Sequence, residues 1–297
     1  MHNTMNDTLH GLPVTGGKAD GIYPDHTPDV LLPLLNETDK LNERFVCLKK
    51  QIPAHSDLWR ITVEKLRALW TYHSNAIEGS TLTLGDTIFF LQEGLTVQGK
   101  PLKDFLDAQN HAQAVDYLFE IVSDQRPVTE GLIKEINALL LQGVSHTPAQ
   151  TALGSKVNKP LSAGQYKLLP NHVLKRDGTM HKYVNPEHVA VQMQELTEYI
   201  RNSTVHPILL AAVAHYNMVR IHPFDDGNGR GARILMNIIL MKNGYPPAVV
   251  KKEEKHFYLQ YLNDADHGDI LPFTRFIAGQ LADTLRQVLA DWERVGN

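Results

Sequence analysis

The chain has 297 residues, with 29 Lys and Arg against 33 Asp and Glu, for a formal net charge of −4. That is one large domain or two small ones, with enough material for a core. A hydrophobic share of 42%, a charged share of 21% and a mean hydropathy of −0.26 exclude a disordered, collagenous or membrane-embedded chain. The near-neutral balance also speaks against a bulk nucleic-acid binder, which carries a basic surplus.

Cys47 is the only cysteine, so no intramolecular disulfide and no thiolate-based zinc site are expected, and a reducing compartment is the simplest setting. The opening residues, MHNTMNDTLHGLPVTGG, lack the positive patch and apolar run of a signal peptide. No apolar run is long enough for a bilayer-spanning helix. The expected location is the cytoplasm.

In chain order, residues 1–28 are rich in Gly, Asp, Thr, Pro and His without periodicity, which predicts a poorly ordered tail. From Asp29 the spacing turns helical, with Leu31, Leu32, Leu35, Leu41, Phe45 and Leu48 recurring on one face and Pro33 marking the first turn. Leu58, Ile61, Leu66, Leu69 and Trp70 predict a second helix running toward His73. Thr83 and Asp86 form a capping-box pattern that opens a helix closed by Gly94. Pro101 suits the first turn of the next helix, with Phe105, Ala112, Val115, Leu118, Phe119 and Val122 on its apolar face. Thr129 is a candidate N-cap for a helix through Leu141, stopped by Gly143.

Residues 143–185 break the pattern and read as a long polar connection, the kind that is usually functional or disordered. Its end carries a hairpin signal, because His172-Val-Leu and His181-Lys-Tyr-Val flank Asp177-Gly178, the favoured residues of a tight turn. Helices are then predicted over 186–200, 207–221, 230–243 with Gly244 as stop, and 271–292. The fold class expected is all-α with a small β-hairpin flap. Its expected organisation is a tail (1–28), an N-terminal helical region (29–125) and a core (126–297) that carries the flap at 164–185.

The chemistry concentrates in His222-Pro-Phe-Asp-Asp-Gly-Asn-Gly-Arg-Gly-Ala-Arg233. Gly227-Asn228-Gly229 sits just before a helix, where free backbone N–H groups and the positive dipole end form an anion cradle. Arg230 and Arg233 are three apart in the first turn, so both project from one side of the helix. Cations there oppose the dipole by about 0.3–1 kcal/mol each unless an anion lies between them. The pattern predicts a site for several phosphates of one ligand. Asp226 borders the cradle, and one carboxylate plus phosphate oxygens is the usual way to hold Mg²⁺. His222 stands at the mouth, and histidine is the side chain best suited to accept a proton near neutrality. Taken singly these are a loop, a helix cap and a solvated arginine pair; held within twelve residues, they describe transfer of a phosphorus-centred group from a nucleotide to a hydroxyl.

Residues 222–233 resemble the active-site loop of the Fic (Fido-fold) proteins, H-P-F-x-[D/E]-G-N-G-R-x-x-R, at every fixed position. The resemblance implies a helical Fido core and transfer of AMP from ATP to a protein hydroxyl. It implies that His222 is the base for the target hydroxyl and that Asp226 holds Mg²⁺. Gly227, Asn228, Gly229 and Arg230 would bind phosphates, Arg233 would anchor the γ-phosphate, and Phe224 would plug the loop into the core. Ser74-Asn-Ala-Ile-Glu78-Gly79 is similar to the family's inhibitory motif, [S/T]-x-x-x-E-[G/N]. There Glu78 would pair with Arg233, leaving ATP in an unproductive pose.

The hairpin is similar to the family's flap, which aligns a target segment by strand addition; the candidate residues are Asn171, His172 and Val173. Tyr258 to Asp269 is similar to the segment near the nucleobase, with Asp266 where some relatives carry Asn. The implied partners are ATP and a protein bearing a Ser, Thr or Tyr hydroxyl, with a homodimer possible and with neither nucleic acid nor membrane. Two other functions fit the same residues. One is removal of AMP from a modified protein with Glu78 handling the water, and the other is a non-catalytic nucleotide-binding regulator.

Overall fold

The computed structural model describes residues 21–53, 56–150, 155–174 and 180–296. It is built from helices α1 (Leu32–Gln51), α2 (Asp57–Ile77), α3 (Leu84–Glu93), α4 (Leu102–Ser123), α5 (Glu130–Leu140), α6 (Pro186–Asn202), α7 (Pro207–Ile221), α8 (Asn228–Lys242), α9 (Lys255–Asp266) and α10 (Leu271–Gly296). Between α5 and α6 lie two antiparallel hairpins, β1 (His146–Gln150) with β2 (Lys156–Pro160), and β3 (Val173–Leu174) with β4 (Met180–His181).

The centre of the fold is the α7–α8 pair. The sequence of α7, PILLAAVAHYNMVRI, is apolar on every face, and 13 of its 15 residues are buried. A helix without a polar face has to be enclosed on all sides, and here α6, α9 and α10 enclose α7 while α4 and α5 cover α8. The amphipathic helices supply the shell, each turning one stripe inward. In α5 the buried residues Leu132, Ile133, Ile136 and Leu140 recur at three and four. One apolar core runs from Leu31 and Leu35 in the N-terminal region to Trp292, so the boundary expected at 125/126 falls at a turn after α4 rather than at a break in packing.

Local signals worked where the chemistry is local. Thr83 and Asp86 make the reciprocal capping box, and Gly94 closes α3 at φ 70°. Thr129 accepts a hydrogen bond from the Leu132 N–H as the N-cap of α5. Pro101 is the residue before α4 rather than part of its first turn. The predicted start at Arg230 comes two residues late, because α8 begins at Asn228.

Three expectations are corrected. Residues 21–28, expected in the tail, pack on the helices: Ile22 exchanges two hydrogen bonds with the Asn217 amide, Tyr199 donates to the Pro24 carbonyl, and the His206 N–H donates to Thr27. Residues 1–20 lie outside the described residues. The connection after Gly143 contains a second hairpin, β1–β2, whose strands KVNKP and HTPAQ lack the alternation that marks a strand in a sequence. Helix α9 was also unanticipated. The hairpin expected around Asp177-Gly178 is present as β3–β4, its turn lying outside the described residues. Among the described residues no helix is long and apolar enough to cross a membrane.

Candidate active site

Helix α7 ends at His222, which caps it in the left-handed region at φ 51°, and the chain then turns through Pro223–Asp226 into α8. Only two non-glycine residues among those described have a positive φ, and His222 is one. Gly227, at φ 77°, supplies the conformation that lets its carbonyl accept the first helical bond, from the Gly231 N–H at 2.8 Å. Asn228 fastens the turn from inside: its Oδ1 accepts from the Phe224 N–H at 3.0 Å and its Nδ2 donates to the Phe224 carbonyl at 2.8 Å. Phe224, fully buried, is the plug beneath the loop.

Nδ1 of His222 lies 3.3 Å from the Val219 carbonyl. A carbonyl can only accept, so Nδ1 carries the proton and Nε2 keeps its lone pair. The ring is stacked under Tyr183, centroids 3.7 Å apart and planes 19° from parallel. Burial under that ring, reinforced by the Lys167 charge, pulls the His222 pKa down to about 3.

Glu78 enters from the other side. It terminates α2, and Gly79 follows at φ 104°. Lys255 donates to the Ile77 carbonyl, placing a cation at this helix end. The Glu78 carboxylate accepts from Arg233 Nη2 at 2.7 Å. A Cβ on Gly229 would lie 2.4 Å from Glu78 Oε1, so the carboxylate occupies the mouth of the glycine cradle at the start of α8. Any side chain at 229 would expel it.

Arg233 is buried and nearly saturated. It donates to the Ser74 hydroxyl and carbonyl, both at 3.0 Å, and to the Tyr258 hydroxyl at 3.3 Å. The Tyr258 hydroxyl therefore spends its own proton on His215 Nε2, 3.0 Å away, a ring that burial and the Arg233 charge hold well below the usual histidine range. Burial would raise the Glu78 carboxyl, but the Arg233 charge and hydrogen bond outweigh it and hold it below the usual carboxylate range.

The two arginines differ. Arg230 turns away from Glu78 to Asp107 on α4, Nη1 to Oδ1 2.8 Å, with Asp226 at 3.7 Å. Asp226 accepts from the Gly227 N–H at 2.6 Å and from the Thr147 hydroxyl at 3.2 Å, and its side chain stays 30% exposed. With Glu78, Thr147, His222 and Gly227–Arg230 it lines a cavity of about 120 Å³. Among the described residues no group of three or more His, Cys, Asp and Glu could hold a metal by itself.

Residues 127–240 match the sequence profile of the Fic/DOC family. The chain belongs to the Fic family. It is 35% identical over 256 residues to a protein named protein adenylyltransferase Fic from Nematostella vectensis, a match spanning 85% of this chain and 55% of that relative. The chain thus spans about half the length of that curated relative. Among solved structures it is similar to a Fic domain containing signaling protein from Bacteroides thetaiotaomicron, with TM-score 0.74, 29% identity, and 88% of this chain and 97% of that chain covered. Fic-1 from C. elegans has TM-score 0.74 and 26% identity, covering 90% of this chain and 74% of that one.

Within this Fic fold, His222, Asp226–Arg230 and Glu78 meet at one cavity, with Ser74 and Arg233 directly behind Glu78. Of the flap residues, Val173 is exposed, His172 accepts from the Tyr183 N–H, and Asn171 turns inward onto the loop. Sequence reasoning missed Thr147, Lys159, Lys167 and Tyr183 on the flap side and Asp107 on α4. Lys159 pairs with Asp225 at 2.6 Å, so the unanticipated hairpin grips the loop twice, at Asp225 and Asp226. None of these five lies in a motif; each is within reach only after folding.

Proposed function

We propose that this chain is a protein adenylyltransferase, using ATP to modify a Ser, Thr or Tyr hydroxyl of a protein, and that Glu78 restrains it. The observation carrying this reading is the carboxylate of Glu78 seated between Arg233 and Gly229, where a phosphate of a nucleotide would be held. An anion site filled by the protein's own carboxylate, with a neutral histidine in the same cavity, is the arrangement of a restrained phosphoryl-group enzyme.

In the reaction the target hydroxyl oxygen bonds to the α-phosphorus, the α–β bridging bond breaks, pyrophosphate leaves, and the hydroxyl proton passes to His222 Nε2. A base with a pKa near 3 holds that proton poorly. Polyphosphate charge in the cradle would raise it toward neutrality, so the base becomes competent when nucleotide is present. Asp226, a hard carboxylate beside the cradle, fits Mg²⁺ that takes its other oxygens from phosphate and water, and the ion would neutralise charge developing on the leaving group. Val173 offers the exposed flap edge against which a target segment would lie. The single exposed cysteine supports a reducing, cytoplasmic setting.

Intact-mass spectrometry after incubation with Mg²⁺-ATP tests this. Self-modification by AMP that rises in Glu78→Gly and vanishes in His222→Ala is expected. A second reading, removal of AMP from a protein, draws on Glu78 lining the same cavity as His222, where it could place a water. It predicts that Glu78→Gly abolishes turnover of a pre-adenylylated substrate instead.

A further inference from the structure

The backbone that carries His222, at φ 51°, is in a conformation that is strained for an L residue and persists only where neighbours over-determine it. Here the carbonyls of four successive residues, Ile221, His222, Pro223 and Phe224, are all taken by two residues of the segment between the hairpins. The Lys167 N–H donates to Pro223 O at 2.8 Å and its Nζ to Ile221 O at 3.4 Å. The Asn171 amide donates to His222 O at 3.5 Å and to Phe224 O at 2.9 Å. The two side chains are joined, Lys167 Nζ to Asn171 Oδ1 at 2.7 Å.

Lys167 is among the largest fully buried side chains in the protein, an unusual place for a lysine. Among the described residues it has no carboxylate within salt-bridge distance, and burial lowers its pKa to about 8, so it remains cationic at neutral pH. A buried ammonium kept at that cost, spent on backbone carbonyls under a histidine, calls for a purpose beyond packing. Its Nζ also lies 5.9 Å from the centre of the Tyr183 ring that covers His222.

We propose that Lys167 and Asn171 are positioning residues that clamp the left-handed turn at His222 from the flap side, so that its Nδ1 stays on the Val219 carbonyl and its Nε2 faces the substrate hydroxyl. The proposal rests on the reading of His222 as the base. Neither side chain lines the nucleotide cradle, so their loss acts on the base, through its orientation and for Lys167 also through its charge, and spares ATP binding.

The test uses the full chain in the Glu78→Gly background, with Lys167→Met, Asn171→Asp and Lys167→Arg. Asn171→Asp keeps the shape and the partner for Lys167 but removes both donors to the loop. Rates at saturating Mg²⁺-ATP are expected to fall about 10²-fold in Lys167→Met and Asn171→Asp, the loss typical of a misplaced reacting group. The Kd for ATP by calorimetry stays within about twofold of the parent, and Lys167→Arg recovers most of the rate. A second readout is free of activity: long-range proton–nitrogen NMR of the imidazoles, with His222 assigned by its absence in His222→Ala. It is expected to show one Nδ1-protonated form in the parent and a mixture in the two variants. Rates within twofold of the parent in a folded Asn171→Asp protein, or ATP affinity falling in step with rate, would overturn the proposal. If the parent shows no AMP transfer, the adenylyltransferase reading has failed and the NMR arm alone decides: an unchanged His222 tautomer in both variants overturns the clamp. Circular dichroism identifies a variant that has not folded, and the other then carries the test.

Discussion

The loop at 222–233 is held from two sides, and the sides work by different physics. Toward α2 the contacts all run through buried Arg233, which donates to Ser74 and forms an ion pair with Glu78, whose side chain is 44% exposed. Toward the flap, β1–β2 holds the carboxylates of Asp225 and Asp226, and the turn at His222 itself is held by neutral or ion–dipole bonds from Lys167 and Asn171 to four carbonyls, under the stacked Tyr183 ring. A carboxylate in an anion cradle can be exchanged for a phosphate at little cost, because both satisfy the same donors. Carbonyls stapled in a dry interior have no substitute partner once the donors leave. On the function proposed above, one side would change during turnover and the other would stay.

Variants can break that contrast in order of size. The largest effect is expected from His222→Ala, a loss of about 10²–10⁴-fold in AMP transfer measured by adduct formation, as for removal of a general base. Activity close to the parent would show that the flap side positions nothing that matters to the reaction. Next, Asp107→Ala removes the nearer carboxylate of Arg230, whose side chain is only 4% exposed, and leaves it Asp226 at 3.7 Å. Chemical denaturation should register a loss of about 3–5 kcal/mol, as for half of a broken buried pair. Recovery of most of it in Asp107→Leu with Arg230→Met would assign the pair to stability rather than to phosphate.

Smaller again, Glu78→Gly is expected to raise transfer by about 5- to 150-fold, a coupling of roughly 1–3 kcal/mol. An unchanged rate would mean that the exchangeable side does not restrain the enzyme. A separate lever, which leaves the sequence untouched, is pH. His222 titrates near 3 in the fold against 6.5 in an ordinary setting, and buried His111 and His215 are also held well below 6.5 by burial. Between those limits the unfolded chain binds more protons than the folded one, so stability is full above the unfolded pKa and is lost as pH falls toward the folded ones. The limiting slope is about 1.4 kcal/mol per pH unit per histidine. Denaturation midpoints measured from pH 7 down to 4 should fall, less steeply in His222→Ala; a flat profile would show that these rings are not buried neutral.

The helices and the active-site loop were legible without coordinates, because their causes are local. Periodic apolar residues mark α1, α2, α4, α5, α6, α7 and α10, and Thr83 and Thr129 cap the bonds nearest to them in the chain. Glycine on either side of Asn228 announces an anion cradle, since few other residues allow that approach. The pairing of Glu78 with Arg233 was anticipated only through resemblance, as 155 positions separate them. Strands β1 and β2 escaped notice because neither alternates, and α9 because exposed Phe257 and Leu259 blur the stripe of Tyr258, Leu262 and Ala265.

What the sequence determined by itself is every helix but α9 and the chemical identity of the loop, both written in neighbours three or four residues apart. Only the tertiary structure decided how two arginines one turn apart divide their work, Arg230 taking Asp107 and Arg233 taking Glu78. It also decided that Asn171, expected at the target-facing flap, turns inward beside Lys167. Those outcomes depend on which distant segments the packing of α7 and α8 brings to the loop, and burial then fixes them, because a buried charge or carbonyl must accept whatever partner the fold supplies.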